Sequence, residues 1–129
     1  MKLLLDTHLI LWWEACHPAL PRQAREMIES NDQGVFVSRA SLWEMAIKLS
    51  LGRLRLDLNK FVGNIEAHGF QWLDITNPHL LAVATLPTHD DHKDPFARLL
   101  VAQSLTEPLI LLTVDAKLAR YGVTVRMVT

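Results

Sequence analysis

A chain of 129 residues, half of them hydrophobic and 21% charged, is long enough to bury one core and too apolar to remain disordered. Its 13 basic and 14 acidic residues leave a net charge of −1, so there is no global positive field and any nucleic-acid contact must rest on a local basic patch. Cys16 is the only cysteine, which excludes an intrachain disulfide and fits a reducing cytoplasm. Asp6, His8 and Glu14 interrupt the first apolar run, so it does not read as a signal peptide, and no stretch is clean enough to span a membrane. One domain over 1–129 is the expectation.

Leu3-Leu4-Leu5 is a short unbroken apolar run, as expected of a strand buried on both faces, and it stops at Asp6. Thr7 to Glu14 reads as a short helix that Asp6 can cap. Pro18 marks a turn, and Pro21 to Ser30 carries an apolar stripe at Ala24, Met27 and Ile28. Val35-Phe36-Val37 is a second buried strand. Ser38 to Lys48 follows as a helix apolar on most sides, with Ser41, Glu44 and Lys48 on one face and Gly52 as its terminator. Asp57 can cap a helix presenting Leu58, Phe61, Val62 and Ile65 to the core, ended by Gly69.

Phe70 to Leu73 reads as a third strand, and Thr76 and Pro78 open a helix running to about Leu86. After the polar loop from Thr88 to Lys93, Asp94-Pro95 starts a long helix with Phe96, Leu99, Leu100 and Gln103 on adjoining faces. Leu109 to Leu112 is a fourth strand ending at Thr113-Val114-Asp115. Ala116 to Tyr121 is a short helix, and Val123 to Met127 alternates like an edge strand. Strands alternating with helices predict a three-layer α/β/α domain around a parallel sheet of four or five strands.

Four acids stand out by position. Asp6 and Asp115 lie just past predicted strands, Glu44 is on the first turns of the helix after the second strand, and Asp94 opens the helix leading into the fourth. Each has a structural alternative. Asp6, Asp94 and Asp115 can cap helices, Ser41-x-x-Glu44 matches a capping box, and Glu44 can pair with Lys48 one turn on. In a parallel sheet, however, all four share one edge, where ligands of open α/β folds bind. Carboxylates crowded in a low-dielectric cleft repel one another unless some are protonated or a cation holds them. Oxygen donors without a nearby thiolate suit Mg²⁺ or Mn²⁺, which can activate water and shield a phosphodiester under in-line attack. The residues therefore point to a metal-dependent phosphoryl-transfer site.

The ordered set Leu5-Asp6-Thr7-His8, Ser38-x-x-Ser41-Leu42-Trp43-Glu44-Met45-Ala46-Ile47-Lys48 with Gly52-Arg53-Leu54, His92-Lys93-Asp94-Pro95-Phe96-x-Arg98-Leu99-Leu100-Val101-Ala102-Gln103, and Leu112-Thr113-Val114-Asp115 resembles PIN-domain ribonucleases, specifically VapC-type toxins of toxin–antitoxin pairs. The resemblance runs nearly end to end. It implies a PIN-like α/β/α fold and Mg²⁺- or Mn²⁺-dependent cleavage of RNA. It also implies a protein antitoxin that blocks the site, and a homodimer. Asp6, Glu44, Asp94 and Asp115 match the acidic quartet, with Asp6 and Asp94 holding the metal most directly and Thr7 and Thr113 orienting the site. One departure is Ala97, where such relatives usually carry a second acid one turn after Asp94.

Arg39, Lys48, Arg53, Lys93, Arg98 and Lys117 are candidates for an RNA-backbone patch beside the acids. His89 and His92 with Asp90 and Asp91 are better read as a solvated loop than as a zinc site. His8 is expected at the core or rim. Trp43 and Trp72 are expected in the core, and one of Trp12 and Trp13 is expected to be exposed or in a subunit contact. The alternatives to a ribonuclease are a catalytically weak RNA-binding module, for which Ala97 is the motive, and a metal-dependent DNA nuclease or phosphatase.

Overall fold

Leu3–Leu5 form β1, the central strand of a five-stranded sheet in the computed structural model, which describes residues 1–89 and 94–129. In chain order follow α1 (Thr7–Glu14), α2 (Arg22–Glu29), β2 (Val35–Ser38), α3 (Arg39–Ser50), α4 (Leu58–Ala67) and β3 (Gln71–Leu73). Then come α5 (Asn77–Val83), α6 (Pro95–Thr106), β4 (Ile110–Thr113), a 3₁₀ turn over Leu118–Tyr121, and β5 (Val125–Met127). The strand order is β3-β2-β1-β4-β5, and every pairing is parallel.

The three leucines of β1 serve two layers. Leu3 and Leu5 belong to a buried cluster with Leu9 and Ile10 of α1, Ala24 and Ile28 of α2, Met45 of α3, and Phe61 and Ile65 of α4. Leu4, between them, points to the other face and packs with Leu100 and Val101 of α6 and with Leu118 and Tyr121. All three are almost wholly out of water, and burying each side chain is worth roughly 1.5–3 kcal/mol. The alternation of a strand thus produces the two-sided burial that an unbroken apolar run implies.

The helices end where backbone chemistry ends them. Beyond α3, Gly52 adopts φ +72°, and the amides of Gly52 and Arg53 bond back to the carbonyls of Leu49 and Lys48. Gly69 does the same after α4, with φ +79°, the amides of Gly69 and Phe70 bonding to the carbonyls of Glu66 and Ile65. Both are left-handed caps that a residue with a Cβ adopts only at a cost.

This order also locates the functional edge. From β1 the chain moves to β2 and β3 on one side, while β4 and β5 add on the other. The reversal of winding lies between β1 and β4, and the crevice beyond their carboxyl ends is where open α/β sheets take ligands. The amide of Asp6 donates to Leu112 O at 3.0 Å, which holds the two strand ends together there.

Several expectations need correction. The helix opened by Pro78 stops at Val83 rather than Leu86, and the segment after Asp115 is a 3₁₀ turn starting at Leu118. Trp43 is not in the core. It is 56% exposed, packed edge-on against Phe96. Trp12 and Trp13 are both half-buried against the core, which removes the exposed alternative for the pair and leaves the subunit contact as the remaining expectation. Trp72 is half-buried, with Phe61 at its edge and Arg39 over its face. Among the described residues, no helix is long and apolar enough to cross a membrane.

Candidate active site

Asp6 is the first residue beyond β1, and its backbone carbonyl accepts the first helical bond of α1, from Ile10. Its side chain makes no capping hydrogen bond, though the Thr7 amide at the head of α1 lies close enough to favour its charged form. Oδ2 instead accepts the hydroxyl proton of Thr113 from the end of β4, at 2.6 Å. Only 8% of Asp6 is exposed. Burial pushes its pKa above the ordinary carboxylate value. The Thr113 bond, the charge of His8 and the Thr7 amide oppose this, and the charge of Glu44 adds to it.

Thr113 joins two of the acids. Its oxygen also accepts the amide of Asp115 at 3.0 Å, and Asp115 Oδ1 accepts the amide of Lys117 at 2.9 Å. The turn after β4 is thereby built so that Asp115 stands beside Asp6.

Glu44 reaches the same place from α3. The cap of that helix is Ser38, whose oxygen accepts the amide of Ala40, so Ser41 and Glu44 do not form a capping box. The Thr7 hydroxyl donates to Glu44 Oε1 at 2.8 Å and lies 2.9 Å from the hydroxyl of Ser41. Lys48 Nζ donates to Glu44 Oε2 at 2.9 Å. Thr7, Ser41 and Glu44 are all buried.

Asp94 behaves differently. It is exposed and caps α6, accepting the amides of Phe96 at 2.9 Å and Ala97 at 3.4 Å through Oδ1. The capping role is real, and it coexists with a place in the site. Asp6, Glu44, Asp94 and Asp115 all line one cleft of about 100 Å³. Thr7, His8, Lys48 and Ala97 complete its polar and small walls, with Leu100 and Leu118 as the apolar ones. His8 is a rim residue, exposed and tilted against Trp12. Ala97 presents a methyl group one turn along from Asp94.

The acids share the cleft more loosely than a tight four-carboxylate cluster would. Among the described residues, no three acids, histidines or cysteines stand close enough to ligate one ion together. Such an open, all-oxygen arrangement suits Mg²⁺, which is commonly held by one or two carboxylates with water and substrate phosphate filling the rest. The desolvated Asp6 carboxylate fits the same demand, since a nearby cation favours its charged form.

The basic candidates divide. Lys48 lines the cleft. Arg39 is paired with Asp74 at 2.9 Å and lies 4.7 Å over the ring of Trp72. Arg98 donates to the carbonyl of Pro87 at 2.9 Å and to the Tyr121 hydroxyl at 3.1 Å. Neither arginine lines the cleft. Arg53 and Lys117 are exposed in the turns after α3 and β4. Lys93, His92, Asp91 and Asp90 lie outside the described residues.

Sequence reasoning passed over two features. Ser41 registers in the sequence only as a polar position beside Glu44, and its contact with Thr7 needs α1 and α3 to meet. The second is a buried polar chain. Ser38 donates to Gln103 Oε1 at 2.7 Å, Gln103 Nε2 reaches Asp74 O, and His79 Nε2 meets Glu107 at 2.6 Å. The Thr76 amide donates to His79 Nδ1, which leaves Nε2 as the donor to Glu107. Ser38 and Gln103 thus tie the start of α3 to α6, the two helices that deliver Glu44 and Asp94.

A family model described as the PIN domain matches residues 3–123. A search of curated proteins finds no match. Among solved structures, the chain is similar to VapBC2 from Rickettsia felis bound to a promoter DNA fragment, with TM-score 0.72 and 14% identity over the whole of both chains. It is also similar to FitAcB from Neisseria gonorrhoeae, with TM-score 0.68 and 17% identity over 98% of this chain and 96% of that one. DNA-bound VapBC from Salmonella typhimurium gives TM-score 0.65 and 15% identity over 98% and 96%.

Proposed function

Because the chain belongs to the PIN domain family, we propose that it is a Mg²⁺- or Mn²⁺-dependent endoribonuclease and the toxin of a toxin–antitoxin pair. The observation that carries this reading is the single cleft lined by Asp6, Glu44, Asp94 and Asp115, which come from four separate parts of the chain. PIN-domain toxins are nucleases, and their divalent ion, when bound, shields charge on the phosphodiester and makes water more acidic.

The chain's own residues divide the work. Asp6 and Asp94 would hold the ion most directly, and Glu44 and Asp115 would complete the set through bound water. Thr113 fixes the rotamer of Asp6, and Thr7 fixes that of Glu44. Leu100 and Leu118 keep part of the wall dry, which strengthens every charge interaction inside. Lys48, Arg53, Lys93 and Lys117 are the candidates to meet the RNA backbone. Arg39 and Arg98 hold the scaffold instead.

The similar solved structures include a toxin–antitoxin complex from Klebsiella pneumoniae, which supports a protein antitoxin as partner. A homodimer is supported by an apolar groove of about 240 Å³ lined by Trp43, Leu80, Val83, Pro95, Phe96 and Leu99. Trp43, Leu80 and Leu81 are exposed beside it, and apolar surface of this kind marks an interface. Trp43→Asp is expected to shift the protein to monomers in sedimentation, and an unchanged mass removes this face from the dimer. A cytoplasmic location follows from the RNA substrate.

A second reading, a catalytically weak RNA-binding module, is favoured by one observation: Ala97 puts only a methyl group on the cleft wall, one turn after Asp94. The deciding experiment is cleavage of structured RNA in Mg²⁺, with Asp6→Asn as control. Cutting by the wild type alone supports the nuclease. Binding without cutting by both supports the module. Cutting of DNA in preference to RNA supports a DNA nuclease.

A further inference from the structure

Glu44 and Lys48 stand one turn apart on α3, and on an exposed helix such a pair contributes little. Here it faces inward. Glu44 is 9% exposed, Lys48 is half-buried, and both line the cleft that Asp6, Asp94 and Asp115 share. Each carboxylate oxygen of Glu44 already has a donor, Thr7 on Oε1 and Lys48 on Oε2. Thr7 is in turn held against Ser41. Rotating the carboxylate breaks both bonds at once.

The two sides of the cleft therefore differ in charge. On the Asp6 side, a desolvated carboxylate is met by the uncharged Thr113 hydroxyl and the Thr7 amide, with His8 at the rim and Asp115 tied to the same threonine. On the Glu44 side, a full positive charge is covalently tethered. A divalent ion placed on Glu44 Oε2 would lie against the ammonium group, and like charges this close repel strongly in a partly dry cleft. A phosphate oxygen placed there would be attracted.

We propose that Lys48 is the built-in second cation of this centre: its ammonium group holds the Glu44 side, limits the cleft to a single divalent ion on the Asp6 side, and meets a phosphate oxygen of the bound RNA. The inference rests on the metal-dependent nuclease reading above and deepens it. Lysine on a flexible stem suits the role, because it can exchange Glu44 for a phosphate without a change in the helix.

The test counts Mn²⁺ bound to the RNA-free full chain by electron paramagnetic resonance, for wild type, Lys48→Met, Lys48→Arg and Asp6→Asn. The expected result is one ion in wild type and in Lys48→Arg, two in Lys48→Met, and none in Asp6→Asn. The order of RNA cleavage in Mn²⁺ should rise from one to two in Lys48→Met. Two ions in wild type, or one in both wild type and Lys48→Met, overturns the proposal, while RNA cleavage by wild type leaves the nuclease reading standing. An ion retained in Asp6→Asn places it elsewhere and also overturns the proposal. No ion in wild type, with no cleavage, overturns both.

Discussion

Asp6 and Asp94 line the same cleft, yet they are held in opposite ways. Asp6 is buried at a strand end, makes no capping bond, and is fixed by a hydroxyl from the neighbouring strand. Asp94 is exposed and caps a twelve-residue helix. The contrast separates two kinds of evidence. A carboxylate that the fold buries at a cost, without capping a helix, argues for function by its placement. A carboxylate that ends a helix argues for function only through the company it keeps.

The largest effect should come from Asp6. Removing its charge takes away the carboxylate proposed to hold the ion most directly, and Asp6→Asn should slow RNA cleavage by about a thousandfold, the equivalent of several kcal/mol. Stability should move the other way. A carboxyl whose folded pKa is raised binds protons more readily folded than unfolded, so its penalty is absent below the unfolded value near 3.8 and grows as pH rises towards the folded value. Above that it is fully present. Asp6→Asn should therefore melt higher than wild type at neutral pH without metal, and lose that advantage at low pH. A lower melting temperature at neutral pH would mean that Asp6 has a structural task after all.

Thr113→Val comes next. It keeps the shape of the side chain and removes the bond to Asp6 and the acceptor for the Asp115 amide. Losing an orienting partner of this kind typically costs about 10–100-fold in metal affinity or activity. Mn²⁺ titration of cleavage rates would measure it. An unchanged titration would show that Asp6 needs no help from β4.

Asp94 offers the sharpest comparison. Asparagine caps as well as aspartate, so Asp94→Asn should unfold within a few tenths of a kcal/mol of wild type, whereas Asp94→Ala should lose about 1 kcal/mol. Cleavage should fall in both. Full activity in Asp94→Asn would reduce this residue to its cap. The smallest effect is expected for Ser41→Ala, a few-fold loss of rate at most, since Thr7 keeps its bond to Glu44.

The same contrast explains how much was legible beforehand. The strands, the parallel sheet and the four acids at its edge follow from local signals: apolar runs, the residues that stop them, and Asp-Pro or glycine at helix ends. The rest depends on helices meeting. Ser41 approaches Thr7 only because α3 crosses α1, and no spacing announces it. Trp43 seemed destined for the core because its helix is apolar on most sides. One of those sides instead faces an open groove against α5 and α6. Asp94 was ambiguous in sequence and remains double in structure, because one residue both caps α6 and lines the cleft.

The central claim is that acids far apart in sequence share one divalent ion at the β1–β4 crevice. A crystal grown in Mn²⁺ and measured at the manganese absorption edge tests it most directly. The account predicts an anomalous peak in the cleft, about 2.0–2.2 Å from a carboxylate oxygen of Asp6 and coordinated further by Asp94 or by water. A cleft without a peak, or manganese bound only at sites that touch none of Asp6, Glu44, Asp94 and Asp115, would contradict it.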